Sequence, residues 1–496
     1  MGRRTITRTW PDDDHHRRVV CVPRTDLVAE RADGDTRFVQ DIGPFELYER
    51  RIERISGTIT ETTSYRLTIP WFAVLFALPV RWAIERRGTI HRTKPPWWAP
   101  PDRIDARQAL VLGLLAAASM SAAFTNTLFT QTAQFAADDF GVGDTGFGNA
   151  MSLVRAGIVI ALPLAALADR IGRQRVMRIV AWAAPTTCAL GAIAPNFPFL
   201  VATQSIGRPL GLALDFLIAV VIAEEMPRNS RAYAVSVMAM ASGLGAGIAV
   251  MALPLADLGP DGWRLVYVLT LVWLAVAYDV TRRLPETDRF LRPHVVAPRL
   301  DRRRLATIAA VAIGANFFVA PASAFQNRYL DEVRGFSAST IALFTLVTAT
   351  PAALGLVVGG KLADVRGRRR LVAVGLPAAT GLVLLSFVVG GAPMWFAAFG
   401  GGFVGGIAYP ALAVYRAELF PTGNRGRAAG LLTAAALLGG IGGLQVVGRL
   451  LDRGMSYGTV IGLTAIGQVV AVAVVWFRFP ETAHRSLEEL NPEDPV

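Results

Sequence analysis

Residues 165–175 have the sequence AALADRIGRQR, and residues 360–370 have the related sequence GKLADVRGRRR. Leu362 to Asp364 repeats Leu167 to Asp169 after 195 positions. Two other patterns recur at nearly the same offset: Glu224, Pro227 and Arg231 return as Glu418, Pro421 and Arg425, and residues 285–287, PET, return as 480–482. Each copy ends an apolar run, and about 20 apolar residues suffice for a helix to cross a membrane. The sequence therefore predicts two related helical halves, an arrangement typical of secondary transporters.

The composition excludes most other classes of protein. Hydrophobic residues make up 53% of the 496 residues and the mean hydropathy is +0.41, which is too apolar for a soluble multidomain protein. The net charge of +12 comes from basic residues in short loops, not from a nucleic-acid-binding surface. Only two cysteines occur, and no nucleotide-binding loop, metal cluster or nucleophile with a base is visible. We expect neither an enzyme nor a cofactor.

The apolar runs predict an all-α membrane protein with twelve transmembrane helices in two six-helix bundles. The predicted spans are roughly 107–130, 146–168, 176–194, 198–222, 233–255, 263–281, 305–327, 339–360, 371–389, 394–416, 428–448 and 457–477. Alternate loops and the C-terminal tail hold 23 Lys and Arg residues, whereas the opposite loops hold five. Positively charged loops stay in the cytoplasm. Both termini are therefore predicted to be cytoplasmic.

The predicted domains are a cytoplasmic N-terminal extension at 1–104, a first bundle at 105–290, a cytoplasmic linker at 291–304, a second bundle at 305–478 and a cytoplasmic tail at 479–496. Residues 1–64 are polar and mixed in charge, so we expect a disordered tail with one short amphipathic helix near 45–59. The uncharged stretch 67–80 is too short to span, and we expect an interfacial segment near 67–84. A thirteenth span is the alternative.

Residues 165–175 and 360–370 resemble the loop signature of the major facilitator superfamily. The other repeated patterns resemble those of its sugar-porter and metabolite:proton symporter branches. The resemblance implies that the aspartate of each copy engages a helix N-terminus when the cytoplasmic side is closed, and that paired Glu and Arg lock one conformation. It assigns gating to Asp169, Arg170, Gly172, Arg173, Asp364, Gly367, Arg368, Glu224, Arg231, Glu418, Arg425, Glu286 and Glu481.

Several polar residues fall inside the predicted spans. Arg155 lies near the middle of the second span and Arg208 near the middle of the fourth, with Asp215 two turns further on the same face. Each charge costs about 3 kcal/mol at a helix centre, so such residues face a wet cavity or a partner. Other polar residues within the predicted spans complete the set that we predict to bind substrate or to couple transport to an ion. This set is Arg155, Arg208, Asp215, Asn126, Thr130, Gln131, Gln204 and Gln326.

Two guanidinium groups against one carboxylate favour a small organic anion or a zwitterionic metabolite as substrate. The alternative is that an arginine pairs with Asp215 as a structural ion pair. All five histidines lie in tails or loops, so Asp215 is the candidate carrier of a coupling proton.

The sequence thus predicts an ion-coupled, alternating-access transporter that is monomeric, lies in the plasma membrane, contacts lipid and a small-molecule substrate, and binds no nucleic acid. A sugar symporter or a drug efflux carrier on the same fold is the second hypothesis. A membrane sensor that does not transport is a third, from another class.

Overall fold

The computed structural model describes residues 2–55, 57–85, 96, 98–100, 102–227, 230–286, 301–420 and 425–482. Among the described residues, those up to Pro70 form a β-domain, and those from Ala73 onward are mainly helical. The elements of the β-domain are β1 (Arg4–Pro11), α1 (Asp14–Val20), β2 (Ala29–Ala32), β3 (Arg37–Ile42), β4 (Phe45–Ile55) and β5 (Thr58–Leu67). The strands form an antiparallel sheet of order β1-β5-β4-β3-β2.

This sheet shows that the expectation of a disordered tail with a helix near 45–59 is wrong. The buried side chains of β5 alternate from Ile59 to Tyr65, as they do in a strand with one face on a core. In β4, Tyr48, Arg50 and Ile52 also alternate toward the interior. The polar residues between them lie on the other face of the sheet. The mixed composition is therefore that of a two-faced strand and not of a disordered tail.

Buried charges join the elements of the β-domain. The Arg50 guanidinium, which is fully buried, lies 2.6 Å from the Glu30 carboxylate and 3.4 Å from Glu61. Burial raises the pKa of Tyr48, whose hydroxyl donates a 2.6 Å hydrogen bond to Glu30. Because a buried charge without a partner is very costly, these pairs constrain how the strands and the preceding loop can pack.

Helix α2 (Ala73–Glu85) connects the β-domain to the membrane helices. Its 13 residues extend about 20 Å, which is less than the hydrocarbon core. Val80 and Ile84 pack against the sheet, whereas Val74, Leu78 and Trp82 are exposed. This two-faced helix matches the predicted segment near 67–84, and its position at the membrane surface stays a prediction.

The remaining helices fall into two sets. The first comprises α3 (Ala106–Asp139), α4 (Asp144–Ala156), α5 (Ile158–Ile171), α6 (Arg173–Ala189), α7 (Phe197–Glu225), α8 (Arg231–Met251), α9 (Gly262–Val268) and α10 (Leu274–Arg283). The second comprises α11 (Arg302–Ala324), α12 (Gln326–Glu332), α13 (Ala338–Arg366), α14 (Arg368–Ser386), α15 (Gly391–Glu418), α16 (Arg425–Leu451), α17 (Tyr457–Thr464) and α18 (Ile466–Arg478).

Eleven helical segments in the described part of the chain are long and apolar enough to cross a membrane. The predicted span 146–168 is not among them, because it is divided into α4 and α5 at Gly157. A Cβ atom on Gly157 would lie 2.5 Å from the carbonyl oxygen of Ser205, so this junction packs directly on the backbone of α7. The count of twelve crossings therefore stays a prediction.

The two sets of helices meet where α4 packs against α16. A Cβ atom on Gly148 would lie 2.8 Å from the Leu444 carbonyl oxygen, and one on Gly448 would lie 2.7 Å from that of Asp144. Glycines on both helices thus allow the two backbones to approach closely, as small residues do between membrane helices. This contact closes one wall of a cavity between the two halves.

Candidate functional site

A cavity of about 140 Å³ lies between the two halves. The first half contributes two arginines, a threonine and a methionine, and the second half contributes small and apolar residues. The lining residues are Thr130, Met151, Arg155, Arg208, Val319, Ala320, Ser323, Ala324 and Leu444. The structure therefore brings Arg155, Arg208 and Thr130 of the predicted set to one cavity.

Local helix geometry positions the two arginines. Arg155 lies in the last turn of α4, just before the break at Gly157, and Arg208 precedes Pro209 inside α7. The Nε atom of each guanidinium is buried and has no hydrogen-bond acceptor among the residues that the structure describes. A Cβ atom on Gly440 would lie 3.0 Å from Arg155 Nε, so Arg155 extends against α16 of the other half. The guanidinium groups of Arg155 and Arg208 thus line the same cavity, and their Nε atoms are free to donate hydrogen bonds to a bound molecule.

Asp215 lies apart from this pair. Its carboxylate accepts a 3.1 Å hydrogen bond from the side-chain amide of Asn126. Among the residues that the structure describes, no ion pair connects Asp215 with Arg155 or Arg208. The structural ion pair that the sequence left open is therefore absent from this conformation.

The predicted glutamines lie elsewhere. Gln204 is buried within the first half, where its amide donates to the Cys188 carbonyl at 3.1 Å. Gln131 accepts a 2.9 Å hydrogen bond from the side chain of Asn327, across the two halves. Gln326 begins α12 and is not among the cavity-lining residues. Ser323 also lines the cavity but is not in the predicted set, because a serine carries little signal in an apolar helix.

A cluster of polar and charged residues joins the halves at the end remote from the junction of α5 and α6. Arg328 Nε lies 2.7 Å from a carboxylate oxygen of Asp144 and 2.7 Å from one of Glu332, and Arg328 Nη1 lies 3.9 Å from Asp138. The Gln134 amide donates a 2.5 Å hydrogen bond to Asp331. We call Arg328, Asp138, Asp144, Glu332, Gln134 and Asp331 the end cluster.

Helix termini add further contacts between the halves at this same end. The Asp257 carboxylate accepts from the backbone N–H groups of Ala338 and Ser339 at 2.8 and 2.9 Å, at the start of α13. Asp452 accepts from the N–H of Thr145 at 2.9 Å, in the first turn of α4. Carboxylates are favourable at helix N-termini, where N–H groups lack intrahelical partners. The two halves are therefore held together at the end cluster.

The opposite end contains the repeated motifs. Glu286 accepts hydrogen bonds from the backbone N–H groups of Arg173 and Gln174 at 3.1 and 3.2 Å, in the first turn of α6. In the second half, Glu481 accepts from Arg368 and Arg369 at 2.8 and 3.2 Å, in the first turn of α14. Each Pro-Glu-Thr motif thus supplies the N-terminal cap of the helix that follows the one containing the Leu-Ala-Asp sequence.

These caps act within one half. Arg173 Nη2 lies 2.8 Å from Glu224, and Arg368 Nη1 donates 2.9 Å to the Thr482 hydroxyl, each inside its own bundle. The assigned gating roles stay predictions. Several predicted gating side chains lie outside the described part of the structure, namely those of Asp169, Arg170, Arg231, Asp364, Glu418 and Arg425.

Gly172 and Gly367 make the two caps possible. Their φ angles are +104° and +92°, a region that favours glycine, and an added Cβ would lie 2.6 Å from the Glu286 carboxylate and 2.8 Å from that of Glu481. We expect Gly172→Ala and Gly367→Ala to lower the Tm of the purified protein in detergent. The backbone strain of about 1–2 kcal/mol adds to a lost cap of about 1 kcal/mol.

Gly454→Ala is the matched control for that prediction. Its φ is +83°, but a Cβ there meets no atom within 4 Å, so it introduces the strain without the clash. A decrease in Tm equal to that of Gly172→Ala would show that the contact with Glu286 contributes nothing.

Comparison with known proteins agrees with this architecture. The family model "Major Facilitator Superfamily" matches residues 113–320 and 305–494. The chain belongs to this superfamily. It is a multi-pass membrane transporter and not an enzyme.

Two relatives illustrate the similarity. A "Putative metabolite transport protein" of Haemophilus influenzae is 27% identical over 347 residues, covering 65% of this chain and 84% of the relative. A "Cis,cis-muconate transport protein" of Acinetobacter baylyi is 26% identical over 330 residues, covering 60% of this chain and 76% of the relative.

The fold is also similar to solved transporter structures. The inward open conformation of the xylose transporter XylE from E. coli superposes with a TM-score of 0.64 at 16% identity, covering 78% of this chain and 99% of that one. An inward-facing, unoccupied bacterial homolog of the human lysosomal transporter Spinster gives a TM-score of 0.58 at 20% identity, covering 74% and 94%. At these identities the likeness concerns the fold alone.

Proposed function

We propose that this protein is a secondary active transporter that moves a small organic anion or a zwitterionic metabolite by alternating access, coupled to protons. The observation that carries the proposal is the pair Arg155 and Arg208, which line one cavity between the halves. Neither guanidinium forms a hydrogen bond or an ion pair with a residue that the structure describes. A carboxylate can accept two parallel hydrogen bonds from a guanidinium, which makes arginine well suited to such substrates.

One relative supports an anionic substrate. The Acinetobacter baylyi protein is named for transport of cis,cis-muconate, which is a dicarboxylate. Two arginines match two carboxylates in charge. An anion between them would supply the acceptors that the buried Nε atoms lack in this conformation. We therefore place dicarboxylates first among the substrates to test.

The contacts between the halves support alternating access as the proposed mechanism. We propose that α4 and α5 together form one crossing, the second in chain order, which brings the total to twelve. We also propose that the basic loops, both termini and the β-domain lie in the cytoplasm. The end cluster then faces the exterior, and this conformation is closed outward. Transport then requires that the residues of the end cluster separate when the protein opens to the exterior. We propose a monomer in the plasma membrane.

Solute counterflow in proteoliposomes tests this function. Vesicles that contain the purified full-length chain are loaded with unlabelled cis,cis-muconate, and uptake of labelled muconate is then followed. We expect transient accumulation that unlabelled dicarboxylates compete and xylose does not. Competition by xylose alone would establish the sugar symporter, and competition by cationic drugs alone the efflux carrier. Binding without exchange would identify a sensor.

Asp215 is the proposed carrier of the coupling proton, because it is a carboxylate inside a predicted membrane span, on the same helix as Arg208, and accepts a hydrogen bond from Asn126. We expect Asp215→Asn to abolish accumulation driven by a proton gradient while counterflow continues at a comparable rate. Asp279→Asn is the matched control, since Asp279 lies in α10 and pairs with Arg283 at 3.4 Å. Full response of Asp215→Asn to the gradient would contradict the assignment.

A further inference from the structure

A second, larger cavity of about 490 Å³ lies outside the interface between the halves. It is enclosed by the β-domain, by α2 and by the outer surfaces of α3 and α8. Its volume is in the range of pockets that hold small molecules. None of the residues assigned above to substrate, proton or gate lines it. The cavity therefore requires an explanation of its own.

The walls of this cavity are apolar. Helix α2 contributes Leu75 and Phe76, α3 contributes Leu112 and Ala116, and α8 contributes Val237. Such a surface cannot hold ordered water, because water needs polar partners. If it stayed empty, its lining atoms would lack dispersion contacts. The physical chemistry of the walls thus calls for an apolar occupant.

The cavity is continuous with the lipid-facing surface. Met240 and Leu244 both line it and are 70% and 53% exposed on α8, and Leu75 is 67% exposed on α2. On a helix that crosses the membrane, an outward apolar surface meets hydrocarbon chains. The medium at the opening is therefore lipid.

Polar groups gather at one end of the cavity. Arg103 donates hydrogen bonds to the carbonyl groups of Thr25 and Asp26, and the Asp26 carboxylate pairs with Arg24 at 2.6 Å. Arg103 lies just before the start of α3, so this end is at the level of the membrane surface. Tyr233 donates 3.0 Å to the carbonyl of Trp98, another lining residue. Because Asp26 already pairs with Arg24, Arg103 is a cation at this end that forms no ion pair with a residue that the structure describes.

We propose that this cavity binds an acyl chain of an anionic membrane phospholipid, with the headgroup at the Arg103 end. The apolar lining, the opening toward lipid and the positive end together match a molecule with a long hydrocarbon chain and a phosphate. The lipid then completes the packing of the β-domain and α2 against the first half. This inference is independent of the transported substrate.

Native mass spectrometry of the full-length protein tests the proposal. The chain is purified in detergent with 1-palmitoyl-2-oleoylphosphatidylglycerol, and we expect a retained phospholipid adduct. Val237→Phe fills the cavity and should lower the retained fraction roughly tenfold by steric exclusion. Val235→Phe is the matched control, because Val235 lies on the same helix, is 57% exposed and does not line the cavity. It should retain lipid like the wild type.

Equal retention by Val237→Phe and Val235→Phe would overturn the proposal. Retention of free oleic acid without any phospholipid would overturn the assignment to phospholipid. A second measurement needs no bulky variant. Phospholipids with brominated acyl chains should quench the fluorescence of Trp98. The Trp98 signal is the difference between the fluorescence of the wild type and that of Trp98→Phe. Absence of that quenching would also refute the site. Counterflow of muconate by Val235→Phe tests the transport function separately.

Discussion

Replacing Arg208 by glutamine should weaken the binding of an organic dianion about 10- to 100-fold. The substitution removes charge-assisted hydrogen bonds, each of which contributes about 1.5–3 kcal/mol. Arg155→Gln should have an effect of the same size, since both guanidinium groups line the same cavity. Equilibrium binding of labelled muconate to the purified protein measures both.

The same variants should be more stable without substrate. In this conformation the Nε atoms of both buried guanidinium groups meet no acceptor within the described part of the chain, and removing one group relieves both desolvation and mutual repulsion. We therefore expect Arg208→Gln to raise the Tm in detergent while it abolishes the stabilisation that muconate confers. A merely structural arginine would give the opposite result, a lower Tm.

Two further variants sharpen this test. Arg208→Lys keeps the charge but not the planar fork, so its affinity should fall between those of wild type and Arg208→Gln. Arg449→Gln is the matched control, because Arg449 is exposed and lies outside the cavity. Unchanged affinity in both Arg155→Gln and Arg208→Gln would disprove the anion site.

Arg328→Gln should open the end cluster. The Arg328 side chain is only 7% exposed and is the shared cation of Asp138, Asp144 and Glu332. Its loss leaves three carboxylates close together on both halves, and they repel. Breaking a buried pair costs about 3–5 kcal/mol and an exposed pair at most about 1. These carboxylates are partly exposed, so we expect about 2 kcal/mol, or roughly a 30-fold shift toward the conformation open at this end.

Distances between spin labels measure this shift. Labels at Leu258→Cys and Arg453→Cys report on the two halves at this end, in a background where Cys21 is replaced by serine and Cys188 by alanine. Arg328→Gln should populate a longer distance. Arg334→Gln is the matched control, since Arg334 donates hydrogen bonds to Tyr329 and Val389 within the second half. A distance distribution unchanged by Arg328→Gln would show that the cluster does not hold the closed state.

The agreement between sequence and structure is strongest where one residue pattern has one physical solution. A run of apolar residues that must satisfy its own backbone in lipid forms a helix, and the repeated Leu-Ala-Asp sequences mark corresponding places in two bundles. The burial cost of a charge also makes Arg155 and Arg208 conspicuous in such runs. These features were accessible without any knowledge of tertiary contacts.

The agreement fails where pairing across the chain decides the outcome. The sequence of residues 45–67 is polar and shows no clear pattern. Pairing of β4 with β5 places its apolar and polar side chains on opposite faces of the sheet. The end cluster combines Asp144 with Arg328, and only docking of the two halves reveals that these two residues are partners. The proximity of Asp215 to Asn126, and not to an arginine, depends likewise on how α3 packs against α7.

The sequence by itself determined that this chain crosses the membrane as two homologous helical halves with arginines inside, because hydrocarbon restricts backbone and charge so severely. Only the tertiary structure decided that the N-terminal residues form a sheet, which charges join the halves, and where the arginines find room for a substrate. Those outcomes depend on contacts between residues far apart in the chain, and local composition carries no record of them.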